Sequence, residues 1–316
     1  MRRIFVTLLA VVTVLSVSAQ ELNVASINIR VGRPAREDGV RKGDYKKYNG
    51  WDDRKHYLCD MINLEAFDLF GAQEVQKVQL DDMLAMLPDY DYIGCGADDG
   101  VFKGEICPVF YRKEVFDKLD GGTFWFSPTP NVPSKGWDAK YQRICTWGLF
   151  VHKASGKKVC FMNIHLDHIG QQARLESAKQ LVEYVKQRCK GVSVIITGDY
   201  NVSQASESYK ILASSKVLKD TYDAAKYRFA PTGTFNGFNP RRYTTYRIDH
   251  IFVSKGLKVS RYGVLTYHYF RNMKAEEKEM DTLAPKEIKG ENRDIKCISD
   301  HYAIQSFITL KGGKKI

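Results

Sequence analysis

Six short polar clusters interrupt otherwise apolar runs: Asn28, Gln73-Glu74, Asn163 with His165, Asp199 with Asn201, Asp249-His250, and Asp300-His301. Carboxylates, amides and imidazoles without paired thiols suit a hard, oxygen-preferring cation such as Mg²⁺, Mn²⁺ or Ca²⁺ rather than a closed zinc site. Such a cation holds and polarises a phosphate, while His and Asp groups position an attacking water and assist the leaving oxygen. The set is therefore equipped for phosphoester hydrolysis. Taken singly, each cluster has a plainer explanation, because Asn and Asp are common turn formers and a lone His is most often a satisfied hydrogen-bonding side chain. Six of them in one chain carry the reading.

These residues act together only if the scaffold converges them. Residues 22–30 alternate apolar and polar like a half-buried strand, and residues 31–50, polar, basic and Gly-rich, read as a loop. Helical spacing over 53–63 precedes a buried strand over 67–75 that ends in Gln73-Glu74. A second helix runs from 79 to 87 and is closed by Pro88. Strands follow near 90–94, 107–112, 145–152 and 158–165, separated by Gly, Pro and Asp clusters. Residues 170–190 form the longest amphipathic helix, leading into a strand over 192–197 and a further helix near 206–214. Late strands are expected at 247–253, 264–267 and 302–310. Each polar cluster thus falls at a strand end. No composition shift or low-complexity linker divides the chain, so the expected architecture is one domain of two packed sheets with outer helices.

In order, Ser26-Ile27-Asn28-Ile29-Arg30, Gln73-Glu74-Val75, Asn163-Ile164-His165-Leu166, Gly198-Asp199-Tyr200-Asn201, Arg247-Ile248-Asp249-His250-Ile251 and Ser299-Asp300-His301-Tyr302 closely resemble the endonuclease/exonuclease/phosphatase superfamily. The resemblance extends from Leu22 to about Leu310 and implies an α/β fold, the four-layer α/β/β/α sandwich of deoxyribonuclease I. It makes Glu74 the principal metal ligand, with Asn28 close by and Asp300 completing or sharing the metal sphere. Asp199 would orient or deprotonate the attacking water, and Asn201 would donate to charge developing on the phosphoryl oxygens. Asp249 would orient His301, whose imidazole donates to a non-bridging oxygen. Glu105 matches the partner of the middle-strand His, here His165. Arg143 resembles the phosphate-contacting Arg of the deoxyribonuclease I branch, the alternative being a solvated strand-edge Arg. Which His or Asp serves as acid or base, and whether one ion or two is used, stays open.

Some features depart from that pattern or fall outside it. His250, Asp167-His168 and Arg174 could extend the phosphate or metal site, although a helix start explains Asp167 equally well. The segment Gly122-Thr123-Phe124-Trp125-Phe126-Ser127 resembles an exported bacterial branch, and its aromatics either stack on a ring or belong to the core. Phe235 and Phe238, with Arg241 and Arg242, either form a wall that selects substrate or pack their own loop.

With 316 residues, 44% hydrophobic and 27% charged, and only 9 Pro, the chain is neither collagen-like, disordered nor coiled coil. Arg2 and Arg3, an apolar run over 4–17 and small residues before Gln20 form a signal-peptide pattern over 1–19. The domain is then 20–316, periplasmic or secreted, expected to be a monomer with no membrane segment left after processing. The net charge of +11 favours anionic partners, yet no dense Lys/Arg run forms a nucleic-acid arm. Seven widely spaced cysteines show no Cys-x-x-Cys pair and read as small buried hydrophobes, with disulfides allowed but not required. The expected function is a divalent-metal-dependent phosphoesterase acting on a phosphate-ester substrate, nucleic acid first among them. Sugar or inositol phosphatase, sphingomyelinase-like hydrolase and catalytically inactive binding module follow as alternatives. Glu74, Asp199, Asn201 and His301 are all present, which argues against the last.

Overall fold

The computed structural model describes residues 21–32, 49–271, 277–279, 289–291 and 293–310; the expected signal peptide and most of the 31–50 loop lie outside them. The chain runs β1 (Glu21–Asn28), α1 (Trp51–Glu65), β2 (Leu69–Gln73), α2 (Lys77–Met86), β3 (Tyr90–Ile93), β4 (Val109–Arg112), β5 (Phe116–Trp125), β6 (Ile144–His152), β7 (Lys157–His165), α3 (Gln171–Arg188) and β8 (Ser193–Asp199). It continues through α4 (Glu207–Ala213), β9 (Leu218–Asp220), α5 (Thr221–Ala224), β10 (Tyr227–Phe229), β11 (Asp249–Ser254), β12 (Lys258–Leu265), β13 (His268–Arg271), β14 (Glu277–Glu279), β15 (Lys289–Glu291), β16 (Asp294–Cys297) and β17 (Ala303–Thr309).

Alternation along β1 shows how the layers arise. Leu22 and Val24 enter an apolar layer between two sheets, whereas Ala25 and Ile27 enter a layer beneath helices. The first sheet has the order β10-β12-β17-β1-β2-β4-β3 and the second β5-β6-β7-β8-β11-β9. Leu22, Val24, Leu69 and Val109 of the first meet Phe161, Ile195, Ile251 and Val253 of the second. Leu58 and Ile62 of α1 and Leu80 and Met83 of α2 seal the outer face of the first sheet. Leu181 and Val185 of α3 and Leu212 of α4 seal the second. The result is the α/β/β/α sandwich.

A polar rung also joins the two sheets. Asn163 on β7 donates from Nδ2 to Ala72 O at 2.7 Å and Pro108 O at 2.9 Å, while its Oδ1 accepts from Gln73 Nε2 at 2.6 Å and Thr197 Oγ1 at 3.1 Å. Gly71 makes room for it, because a Cβ there would stand 2.2 Å from both Asn163 Oδ1 and Thr197 Oγ1. Two of the polar residues first read as chemical, Gln73 and Asn163, are thus engaged in holding the sheets together.

The sequence pattern missed β5. Its residues from Asp117 to Gly121 are exposed, and its pairing with β6 shifts register between Lys118 and Asp120. An edge strand with such a stretch shows no clean alternation. Similarly β12 begins at Lys258, earlier than expected, because Ser260 and Arg261 at its register shift break the apolar pattern. Trp125 and Phe126 are core residues, 5% and 2% exposed, and Trp125 Nε1 donates to Ala97 O at 2.7 Å. All seven cysteines are free thiols; Cys160 and Cys189 bring their sulfurs to 3.5 Å. No helix among the described residues is long and apolar enough to cross a membrane.

Candidate active site

Strand register lines up three titratable groups in one row. His165 pairs with Asp199 across the parallel β7–β8 ladder, and Asp199 with Asp249 across the antiparallel β8–β11 ladder. The other sheet brings Asn28 level with Gln73, so Glu74 follows one residue later. Asp300 and His301 arrive on the turn before β17.

Asp199 is the hub of this cluster. Its Oδ2 accepts from Asn28 Nδ2 at 2.9 Å and lies 3.5 Å from His165 Nε2 and 3.8 Å from His301 Nε2. Its Oδ1 accepts from Asn201 N at 2.8 Å, and Asn201 Nδ2 stands 3.0 Å from His165 Nε2. On the far side of His301, Nδ1 is 2.9 Å from Asp249 Oδ2. Burial opposes protonation of His301, but the charges of Asp249 and Asp199 outweigh it and hold the imidazole well above its ordinary pKa. A donor is therefore held in place at neutral pH.

The second dyad also forms. Glu105 Oε2 lies 3.4 Å from His165 Nδ1 and 3.0 Å from Arg143 Nη1. Burial alone would raise the Glu105 carboxyl, yet His165 and Arg143 bring it from 4.5 down to about 2. Arg143 is only 6% exposed and is no solvated edge residue; its Nη2 sits 3.3 Å from Nδ1 of the exposed His168. Tyr141 stacks on His168 with ring centroids 5.8 Å apart. Arg174 behaves differently from Arg143, since its Nη1 donates to Asp167 O at 2.8 Å and clasps the loop before α3. Asp167 itself accepts from Ile169 N and Gly170 N at 2.9 and 2.7 Å, as a buried loop residue. His250 faces away from the row, as strand alternation requires, and packs 3.4 Å from Asp220 Oδ2 and 3.2 Å from Val202 O.

The 233–238 loop braces the site from above. Phe235 meets His301 edge-on at 5.1 Å, and Arg242 lies over Phe235 at 5.5 Å. Thr234 Oγ1 accepts from Asp249 N at 3.2 Å, while Asn236 N and Gly237 N donate to Asp300 O at 2.8 and 2.9 Å. Six described non-glycine residues have positive φ, and four of them, Arg30, Glu74, Asn201 and Phe238, belong to the site or its bracing loop. Left-handed backbone at such residues costs free energy and persists where the surroundings over-determine it.

The oxygen donors converge as a hard cation needs. Arg30 spans Glu74 and Asp300, with Nη1 3.5 Å from Glu74 Oε2 and Nε 3.5 Å from Asp300 Oδ2. Burial pushes the Asp300 carboxyl up, and Glu74 adds to the push, so this acidic pair favours positive charge between its members. Glu74, His165 and Asp199 each offer a ligand atom within 4.8 Å of the others, and so do Asp199, Asp249 and His301. Ligation by Asn28 calls for its amide to turn about, since Nδ2 now faces the carboxylates and Oδ1 accepts from Arg30 N. The donor set fits a hard divalent ion. Arg30, Tyr141 and Thr234 had no role in the sequence reading. Only the position of Arg30, two residues past Asn28 at the end of the first strand, could have drawn attention to it.

A family model described as "Endonuclease/Exonuclease/phosphatase family" matches residues 25–301. A solved endonuclease/exonuclease/phosphatase family protein from Bacteroides thetaiotaomicron is similar at 41% identity and a TM-score of 0.82, over 93% of this chain and 99% of that one. The mannosyl-6-phosphatase of Bacteroides thetaiotaomicron is similar at 42% identity and a TM-score of 0.79, over 91% and 99% of the two chains. TDP2 from D. rerio, complexed with single strand DNA product, shares the fold at 17% identity and a TM-score of 0.62, over 91% and 98%.

Proposed function

The chain belongs to the endonuclease/exonuclease/phosphatase family of metal-dependent phosphoester hydrolases, and from that premise we propose that it is a phosphomonoesterase acting on a sugar phosphate. The observation that carries the narrower reading is the 42% identity to a mannosyl-6-phosphatase over nearly the full length of both chains. The nuclease expected first from the sequence has weaker support, since the likeness to TDP2 is one of fold.

In this reading Glu74, Asp300 and Asn28, with Asp199 alongside, hold a divalent ion, Mg²⁺ being the expected one. When bound, that ion neutralises and polarises the phosphate. Asp199 accepts a hydrogen bond from the attacking water and takes its proton as the new phosphorus–oxygen bond forms. The phosphorus–oxygen bond to the sugar breaks, and the sugar oxygen leaves as a hydroxyl after taking a proton from solvent water. His301, kept protonated by Asp249, donates from Nε2 to a non-bridging oxygen, and Asn201 donates from its amide. Glu105 and Arg143 fix the ring of His165.

The test is phosphate release from mannose 6-phosphate beside hydrolysis of single-stranded DNA, at low and high salt. Preferred turnover of the sugar phosphate, little affected by salt, is expected. Preferred cleavage of DNA with steep salt dependence would overturn the sugar-phosphate reading and restore the nuclease one.

A further inference from the structure

Beside the segment that carries Thr234 and Asp249 lies a cavity of about 420 Å³, within the size range of small-molecule sites. It is lined by residues of α4 and α5 and by both arms of the segment from Ala230 to Arg247. Three observations describe what it would take. First, its one lining cation, Arg247, is already engaged: Nη1 is 3.0 Å from Asp220 Oδ2, and the guanidinium lies 3.8 Å over the Tyr222 ring. A phosphate therefore finds no available charge in the lining. Second, the remaining polar lining includes the exposed Asp223 carboxylate and the exposed hydroxyls of Thr245 and Tyr243, while the Gln204 amide and the Thr232 hydroxyl are held by Thr245 O, Arg247 N and the Thr244 backbone. The protein hydroxyls donate to or accept from neutral hydroxyl groups, and the carboxylate accepts from them.

Third, the aromatic rings of Tyr209, Tyr222 and Tyr243 line the cavity, and further exposed rings stand next to its lining segment. The three most exposed aromatic residues among those described are Tyr243, Phe229 and Tyr227, at 71%, 70% and 61%. Tyr243 lines the cavity; Tyr227 and Phe229 stand on β10, which ends one residue before the lining residue Ala230, and Tyr246, at 57%, directly precedes the lining residue Arg247. Exposed rings gathered on so short a stretch mark a ligand surface rather than random exposure. A pyranose has an apolar C–H face that lies on such a ring and an equator of hydroxyls for the polar lining.

We propose that this cavity binds a neutral pyranose unit of a glycan, next to the catalytic centre but separate from it. The choice of sugar rests on the sugar-phosphate reading above; the cavity's chemistry does not. The pyranose comes either from the glycan that bears the phosphate or from a separate, unphosphorylated glycan. Cavity and centre are joined by a short stretch of chain, since Arg247 lines one and Asp249, two residues on, belongs to the other.

The experiment is titration of the full chain with unphosphorylated α-mannobiose, by calorimetry, for the wild type and for Tyr243→Ala and Phe229→Ala. Both side chains are exposed and lie outside the catalytic machinery, so hydrolysis of p-nitrophenyl phosphate serves as the control for folding. Saturable binding that weakens about tenfold in the variants, with p-nitrophenyl phosphate turnover unchanged, is the expected result. A rise in KM for 6-phosphomannobiose in the variants, without one for mannose 6-phosphate, identifies the phosphorylated glycan as the source; equal KM values identify the separate glycan. No binding of mannobiose, binding indifferent to both substitutions, or preferential binding of a single-stranded oligonucleotide at these rings overturns the proposal. If mannobiose binds as expected while mannose 6-phosphate is not hydrolysed, only the reading of the catalytic centre fails.

Discussion

Asp199 and Asp249 face each other across adjacent antiparallel strands, and His301 stands between them with one ring nitrogen 2.9 Å from Asp249 and the other 3.8 Å from Asp199. One imidazole thus answers to two carboxylates, and its proton is shared work.

That arrangement makes a pH prediction. His301 has a raised pKa, so the stability its proton contributes is fully present below the ordinary imidazole value and is lost as pH rises through the raised one. The donor proposed for catalysis disappears in the same alkaline range. Asp249→Asn removes the largest raising influence, and the alkaline limb of the kcat profile is expected to move to lower pH with kcat at pH 7 down by about 10²-fold. A profile from pH 5 to 10 checks this, and an unmoved alkaline limb would show that His301 is not the donor.

Metal should stabilise the fold as well as support turnover. Mg²⁺ or Mn²⁺ at a hundred times its Kd is expected to add about 2.7 kcal/mol to unfolding, with EDTA reversing the gain. Glu74→Ala should abolish the metal-dependent part of the melting shift. A shift that survives in Glu74→Ala places the ion elsewhere.

Glu105 predicts behaviour in acid. Its pKa is depressed to about 2, so its contribution is present above its ordinary value near 4.5 and is lost as pH falls towards 2. Melting temperatures between pH 6 and 2 should fall more steeply in the wild type than in Glu105→Gln. Parallel curves would mean that the pair with His165 adds nothing to stability.

Gly71 tests the inter-sheet rung. Gly71→Ala drives a methyl into Asn163 and Thr197 and is expected to cost about 3 kcal/mol in urea unfolding. Asn163→Ala in the same background should recover part of the loss, because it removes the clashing amide. No recovery would relocate the clash.

Much of this site was legible because strand ends are punctuated: Asn28, Glu74 and Asp199 each stand where an apolar run stops, and Asp249 and His301 where one starts. What strand reading could not supply was depth. Arg143 and Arg174 look alike in sequence, yet one is buried against Glu105 and the other holds a loop carbonyl. His250 and Asp249 are neighbours, and only the pleat sends them to opposite faces. Asn163 was read with the chemical residues because a buried amide satisfying backbone from the other sheet leaves no local mark. β5 escaped because its middle is exposed and its ladder irregular.

The amide of Asn163 reaches across the sandwich to two carbonyls of the facing sheet, and Gln73 of that sheet reaches back to the Asn163 oxygen. Sliding one sheet past the other by a single residue would break every one of these bonds at once. The sandwich is thus an anvil rather than a jaw: the two walls that carry the reacting groups keep a fixed separation through turnover. Substrate entry and product escape fall to the loops at the rim, where the 233–238 turn lies directly over His301.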